Sequence, residues 1–237
     1  MDLRDRVAVV TGGSTGIGRA VAHALGGAGC RLAICARSRE ELEETARELA
    51  GAGIETLAVP TDVSRPGEVE ELAERVEAEM GGADVLVNNA GVARFGRIDE
   101  LTPEDYDAVF GANVRGTFLC TRAFAPGMVE RGDGVIVNMA SLAGKNAFAG
   151  GGLYSAAKHA VIGMSKCTML DLREHGVRVV TVCPGSVDTP FFDKQDRFDP
   201  DRGRIVAPED VAELVLDAVE LSDRATVSEV EIRPVNP

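Results

Sequence analysis

The chain has 237 residues, 27% of them charged and 45% hydrophobic, a balance that excludes a disordered or fibrous protein and allows one large core. Its formal net charge of −13 argues against nucleic acid or an anionic membrane surface as the main partner.

A β-branched run over residues 6–10 opens the chain as a buried strand. It leads into Thr11–Gly18, TGGSTGIG, and then into a helical pattern from Ile17 to about Leu25. Residues 30–36 (CRLAICA) form a second strand, and 38–50 a Glu- and Leu-rich helix closed by Gly51 and Gly53. A third strand over 54–60 runs into a loop with Thr61, Asp62 and Ser64, a helix over 68–80 and a fourth strand over 83–87. The second half keeps this rhythm: helix 103–128, strand 134–139, helix 153–174, strand 178–183, helix 209–221 and strand 227–232. Short apolar runs alternating with helices demand right-handed crossovers. The expectation is therefore an α/β, Rossmann-type doubly wound fold: a seven-stranded parallel sheet with helices on both faces, in a single domain over 1–237. Residues 185–207 are the least regular stretch, placing Phe191, Phe192 and Phe198 among charged side chains. Beyond the C-terminal end of a strand, a loop this long reads as a substrate-binding loop.

The five cysteines, Cys30, Cys35, Cys120, Cys167 and Cys183, show neither a disulfide framework nor zinc spacing, and no metal site is expected. There is no signal-peptide pattern and no apolar run of bilayer length, so the expected location is cytoplasmic, with no membrane partner.

A glycine-rich turn between a first strand and a first helix lets backbone approach a dinucleotide pyrophosphate, whose charge the helix N-terminus stabilises. Here the spacing is G-x-x-x-G-x-G rather than G-x-G-x-x-G, and such a turn alone would also serve as a tight connection. Ligands of doubly wound sheets sit outside the carboxyl ends of the strands. The polar residues there are Thr11, Asp62, Asn88, Asn89, Ser141 and the 184–189 turn. Tyr154 and Lys158 are four apart and share one helical face. A neighbouring ammonium favours the phenolate and so makes proton exchange with a hydroxyl feasible, while Ser141 can donate to a carbonyl oxygen. Read alone, the pair also fits an amphipathic helix with a packed tyrosine and a solvated lysine. After the second strand the chain carries Ala36, Arg37, Ser38 and Arg39, where an acidic residue would bind ribose hydroxyls. Arginine there can pair with a 2′-phosphate, which favours NADP, with NAD possible.

Together, TGGSTGIG, Asn88-Asn89-Ala90-Gly91, Ser141, Tyr154-x-x-x-Lys158 and Pro184-Gly185-x-x-x-Thr189 resemble the short-chain dehydrogenase/reductase family over essentially the whole chain. The resemblance implies that Gly12, Gly16, Ile17 and Gly18 cradle the cofactor, with Ser14 and Thr15 near its phosphates. Asp62 and Val63 would meet the adenine, and Asn88, Asn89, Ala90 and Gly91 would lie by the adenosine ribose and steady the sheet. Pro184, Gly185, Val187 and Thr189 would fix the nicotinamide end. It further implies Tyr154 as acid/base, Lys158 on the nicotinamide ribose and lowering the tyrosine's pKa, Ser141 orienting the substrate oxygen, and Asn113 completing the tetrad through a water. His159 and His175 carry no motif and read as ordinary helix residues.

The implied reaction is hydride transfer between a nicotinamide and a small-molecule carbonyl or alcohol. A 3-oxoacyl-thioester reductase is the narrower alternative, and a catalytically silent nucleotide-binding scaffold the remote one. Arg122, Arg131 and Arg173 stand isolated, so no basic patch for an acyl-carrier protein is evident. Residues 147–152 (AFAGGG) lack bulk, and Phe95, Phe148, Phe191 and Phe192 supply an apolar wall suited to a modestly hydrophobic ketone or aldehyde. Thr15 stands where many NADP-preferring relatives are basic. The C-terminal VSEVEIRPVNP is more similar to members with an Arg-Pro tail, including dehydrogenases of small hydroxy acids and serine. In the family the long helices pair between subunits, which implies a homodimer or homotetramer.

Overall fold

The computed structural model describes residues 1–194, 201–222 and 224–235. β1 (Val7–Thr11) is buried along its whole length, with Ala8 and Val10 in one core cluster and Val7 and Val9 in another. Such a strand needs cover on both faces, which is why its run is continuously apolar. α1 (Gly16–Gly27), β2 (Arg31–Ala36), α2 (Arg39–Gly51), β3 (Thr56–Pro60), α3 (Pro66–Met80) and β4 (Val85–Asn88) follow. Next come α4 (Pro103–Phe110), α5 (Gly116–Arg131), β5 (Gly134–Met139), α6 (Gly152–Leu172), β6 (Val177–Pro184), α7 (Pro208–Glu220) and β7 (Glu229–Ile232). The seven strands form one sheet in the order β3-β2-β1-β4-β5-β6-β7, and every pairing is parallel. α1, α2 and α7 bury Val21, Leu25, Leu42, Leu49 and Val215 against one face; α3 and α5 bury Leu72, Val76, Phe124 and Met128 against the other.

Strand order reverses between β1 and β4. Their C-terminal ends, Thr11 and Asn88, therefore open the crevice where ligands of such sheets bind. One element differs in kind from the sequence expectation, and β3, β4 and β7 each begin two residues later than expected. The single helix expected over 103–128 is α4 and α5 joined by a π-helical turn, Gly111–Arg115, and it runs on to Arg131. Side chains take over the ladder there: Asn113 Nδ2 donates to the Val109 carbonyl (2.8 Å) and Thr117 Oγ1 to the Asn113 carbonyl (2.7 Å). A widened turn of this kind leaves no trace in hydrophobic period. The last strand is shorter than 227–232, because β7 is a partly exposed sheet edge with little apolar periodicity to mark its start.

The irregular stretch after β6 is closed at its base by a Val187–Val206 bridge. Asp188 N donates to Val206 O (2.8 Å) and Val206 N to Ser186 O (3.1 Å). Asp196, Arg197, Phe198, Asp199 and Pro200 of that stretch lie outside the described residues. Among the described residues no helix is long and apolar enough to cross a membrane. Cys167 is exposed and the other four cysteines are buried, all five free.

Candidate active site

The turn between β1 and α1 is built so closely that its glycines have no room for a side chain. A Cβ on Gly18 would stand 2.1 Å from the Gly12 carbonyl oxygen, and one on Gly12, whose φ is +64°, 2.9 Å from Asn89 Nδ2. Thr15 opens α1 without a side-chain cap, and no acidic residue lies in the first turn. The helix thus begins with unsatisfied N–H groups at the positive end of its dipole, a site for a phosphate anion. Ser14 and Ile17 flank this turn; Ser14 is buried, and its carbonyl accepts from Thr45 Oγ1 (2.9 Å).

The strand-end residues divide into struts and lining. Thr11, buried, donates to Val87 O (3.3 Å) and accepts from the backbone N–H of Asn89 and Ala90 (3.0 Å each). Asn89 Nδ2 donates to the carbonyls of Thr11 (3.0 Å) and Gly12 (3.2 Å), lashing β4 to the glycine turn. Asn88 turns inward to Asn138 Oδ1 (2.8 Å) and Thr121 Oγ1 (3.1 Å), and Asn138 continues to Ser165 Oγ on α6 (2.9 Å). This buried chain ties β4, β5 and α6 together beneath the crevice. The lone polar residue in the apolar β5 run, Asn138, is the signal the sequence reading passed over.

Asp62 and Val63 split in the same way. Val63 is buried against Gly116 of α5, so its side chain belongs to the core and not to the crevice. Burial works to raise the Asp62 carboxyl, but hydrogen bonds from Ser64 and the charges of Arg37 and Arg65 leave it below the usual range. Arg37 itself is exposed just beyond β2, near that carboxylate.

Ser141 at the end of β5, and Tyr154 and Lys158 on α6, meet at the crevice. Ser141 Oγ donates to Pro184 O (3.3 Å) and accepts from Ala143 N (3.1 Å). Burial pushes the Tyr154 phenol up to about 12, with the Ser141 hydroxyl pulling the other way. Lys158, 5% exposed, donates from Nζ to Met139 O (2.8 Å) and sits 5.7 Å from the Tyr154 ring centroid. Burial lowers it from 10.5 to about 8. The expected lowering of the tyrosine by the ammonium is therefore reversed here: desolvation dominates both groups, and the ammonium faces a carbonyl. Asn113, 1% exposed, donates to Val92 O (2.7 Å) and leaves Oδ1 buried without a partner. A Cβ on Gly91 would meet that Oδ1 at 2.5 Å and Lys158 Nζ at 3.6 Å, so Asn113 and Lys158 flank the same opening.

Aromatic side chains surround Tyr154. Phe95 lies edge-on to it (5.7 Å between centroids) and Phe191 tilted across it (5.8 Å); Phe148 meets Phe95 (5.7 Å) and Phe192 meets Phe191 (5.5 Å). Phe191 belongs to the segment after β6, whose Thr189 packs on the glycine turn: a Cβ on Gly16 would lie 3.0 Å from Thr189 Cβ and Cγ2. Arg202 pins this segment. Its guanidinium donates to Asp188 Oδ1 (2.6 Å), Thr189 O (2.9 Å) and Asp193 Oδ1 (2.5 Å), and lies 5.8 Å from the Phe192 ring. Gly185 N donates to Ile232 O (2.8 Å), and Val187 is buried, so Pro184–Val187 is a rigid root for the segment. Nothing in the sequence singles out Arg202 among its charged neighbours. His159, exposed, has Nδ1 on Ser155 O (2.8 Å), and His175 is exposed in a 3-10 turn after α6; neither reaches the crevice.

A doubly wound parallel sheet whose switch point carries an uncapped glycine turn, with a half-buried tyrosine and a buried lysine alongside, defines a nucleotide-dependent α/β oxidoreductase. The family model of the short chain dehydrogenases matches residues 6–199, and the chain belongs to that family. A Streptomyces coelicolor protein provisionally named a ketoacyl reductase is 40% identical over 88% of each chain. The crystal structure of a metagenomic short-chain oxidoreductase in complex with NADP is 38% identical, covers 100% of both chains and superposes with a TM-score of 0.88. A short-chain dehydrogenase/reductase from Burkholderia phymatum in complex with NAD is 30% identical over 98% of this chain and 90% of that one, with a TM-score of 0.90.

Proposed function

We propose that the protein is an NADP-dependent reductase or dehydrogenase interconverting a carbonyl and an alcohol, with Tyr154 as the acid/base. The observation carrying this reading is that Ser141, Tyr154 and Lys158 converge at the switch point beside a glycine turn with no side-chain cap. A dinucleotide fits the residues present. Gly12, Ser14, Thr15, Gly16, Ile17 and Gly18 would take the pyrophosphate on open N–H groups. Asp62, the Val63 backbone, Asn89, Ala90 and Gly91 would line the adenosine half, and Pro184, Gly185, Val187 and Thr189 the nicotinamide half. Arg37 would pair with a 2′-phosphate, which favours NADP over NAD.

When bound, the nicotinamide exchanges a hydride with the carbonyl carbon. Ser141 donates a hydrogen bond to the substrate oxygen where charge develops. Tyr154, held protonated by burial, delivers its proton to that oxygen in reduction; in oxidation it takes the proton back. Lys158 and Asn113 hold the ribose and a water at the opening beside Gly91, through which the phenol regains its proton.

A 3-oxoacyl thioester as the particular substrate draws its support from the name of the S. coelicolor relative. A cytoplasmic location fits five free cysteines and a nicotinamide pool. A homodimer or homotetramer fits the outer faces of α4, α5 and α6, where Tyr106, Phe118 and Leu170 are 48%, 51% and 54% exposed.

The test is NADPH and NADH oxidation over a panel of carbonyls by the parent protein, Tyr154→Phe and Arg37→Ala. Expected are faster turnover with NADPH and a loss of about 10²–10⁴-fold in kcat for Tyr154→Phe with NADPH affinity kept. Arg37→Ala weakens NADPH about tenfold or more and leaves NADH unchanged. A protein that binds neither nucleotide overturns the proposal.

A further inference from the structure

Resting on the reading of Tyr154 as acid/base, we propose that the substrate is a neutral aryl carbonyl, an aromatic ketone or aldehyde carrying no carboxylate or phosphate. Four of the chain's eight phenylalanines, Phe95, Phe148, Phe191 and Phe192, gather around one of its two tyrosines. They come from three separate segments: the loop after β4, the segment before α6 and the loop after β6. Phe95, at the centre, meets Phe148, Tyr154 and Phe191 edge to face, at interplanar angles of 67°, 84° and 73°. Rings set at steep angles present both edges and faces, and a flat π-system inserted among them meets complementary quadrupoles that an alkyl group of equal size does not.

The cage is held in place before any substrate arrives. Gly96 N donates to Gly150 O (2.9 Å), tying the Phe95 segment to the Phe148 segment. The Phe148 ring lies across Gly151, where a Cβ would stand 2.4 Å from its Cζ, so only glycine lets the ring lie there. Phe192 is held under the Arg202 guanidinium. Such preorganisation favours one ligand shape over a family of flexible chains.

Charge completes the assignment. Among the described basic side chains close to the cage, Arg94 is held by Asp105 (3.4 Å), Arg97 by Asp99 (2.6 Å), Lys145 by Glu229 and Glu231 (2.5 Å each) and Arg202 by Asp188 and Asp193, while Lys158 has Nζ on the Met139 carbonyl (2.8 Å) and is assigned to the nicotinamide ribose in the proposed function. An anionic group on the substrate would have to break one of these pairs or draw Lys158 from the ribose to be neutralised, and a neutral one asks nothing of them.

The experiment compares kcat/KM, with NADPH, for acetophenone, cyclohexyl methyl ketone and benzoylformate, with butanedione as a small carbonyl lacking any ring. Acetophenone is expected to exceed both the saturated and the carboxylated analogue by about tenfold or more. Phe95→Leu and Phe191→Leu should each pull the acetophenone to cyclohexyl ratio toward one. The ratio in the parent protein is read without any variant, so a variant that fails to fold does not blur it. If butanedione is reduced in a Tyr154-dependent way while acetophenone shows no advantage, or benzoylformate matches it, the substrate assignment is overturned and the oxidoreductase reading stands. If no carbonyl is reduced at all, both fall.

Discussion

Tyr154 and Lys158 show how far a pair of residues can be read from spacing. Their i, i+4 separation and the polar end of β5 put Ser141, tyrosine and lysine at one place, and the structure has them there. Which way desolvation tips the pair was not legible, because the groups that do it come from elsewhere: Met139 on β5 offers the carbonyl, and Phe95 and Phe191 the apolar wall. A lysine lowered by burial from 10.5 to about 8 costs folding stability wherever the unfolded chain binds the extra proton. That cost is present in full below about pH 8 and is relieved as pH rises toward 10.5, so the parent gains stability relative to Lys158→Met over that window. The difference in unfolding free energy, variant minus parent, should fall by about 2 kcal/mol between pH 7 and pH 9.5, measured by denaturant titration. A flat difference would mean that Lys158 is not desolvated in solution.

The elements are where sequence and structure agree in kind and part in detail. The glycine turn, α1 and the strand before it were legible because strand, turn and helix each leave a local pattern. The π-turn at Gly111–Arg115 was not, since it depends on Asn113 and Thr117 bonding carbonyls of their own helix. The loop after β6 was recognisable as irregular and aromatic, whereas its pin was not: Arg202 finds Asp188, Thr189 and Asp193 only once the Val187–Val206 bridge has closed the base. Without the pin, Thr189 leaves the glycine turn and Phe191 leaves Tyr154 more readily. Arg202→Ala should therefore raise KM for both nucleotide and carbonyl about tenfold while kcat changes less, with thermal stability nearly unchanged. Arg202→Lys restores the charge but not the three-way fork, and should recover little of the loss. Equal losses in kcat and kcat/KM would instead place Arg202 in the chemical step.

At the scale of the molecule, strand count, parallel direction and the two-faced cover followed from continuous apolar strands alternating with helices, and seven parallel strands are present. What alternation cannot state is strand order, and with it the switch point between β1 and β4. The glycine turn and the polar strand ends point to the carboxyl edge of the sheet as the ligand side, and only the structure says between which strands the crevice opens. The surface follows a different logic. Phe118, Ala125, Pro126, Val129, Met164 and Leu172 line one groove between α5 and α6, with Leu170 exposed nearby. If this face is where the proposed oligomer forms, Phe118→Asp should shift the species seen by light scattering toward the monomer while NADPH binding persists, since the crevice lies at the strand ends. A parent protein that is already monomeric would remove the oligomer from the account.

Thr189 on Gly16 and Phe191 on Tyr154 belong to one short segment fastened by Arg202. A nucleotide seated against Thr189 at the start of α1 would brace the same segment that holds Phe191 over the tyrosine. A carbonyl arriving first finds that wall unbraced. Catalysis should accordingly follow a compulsory sequence, nucleotide on first and off last, visible as oxidised cofactor inhibiting competitively against reduced cofactor while the product alcohol does not.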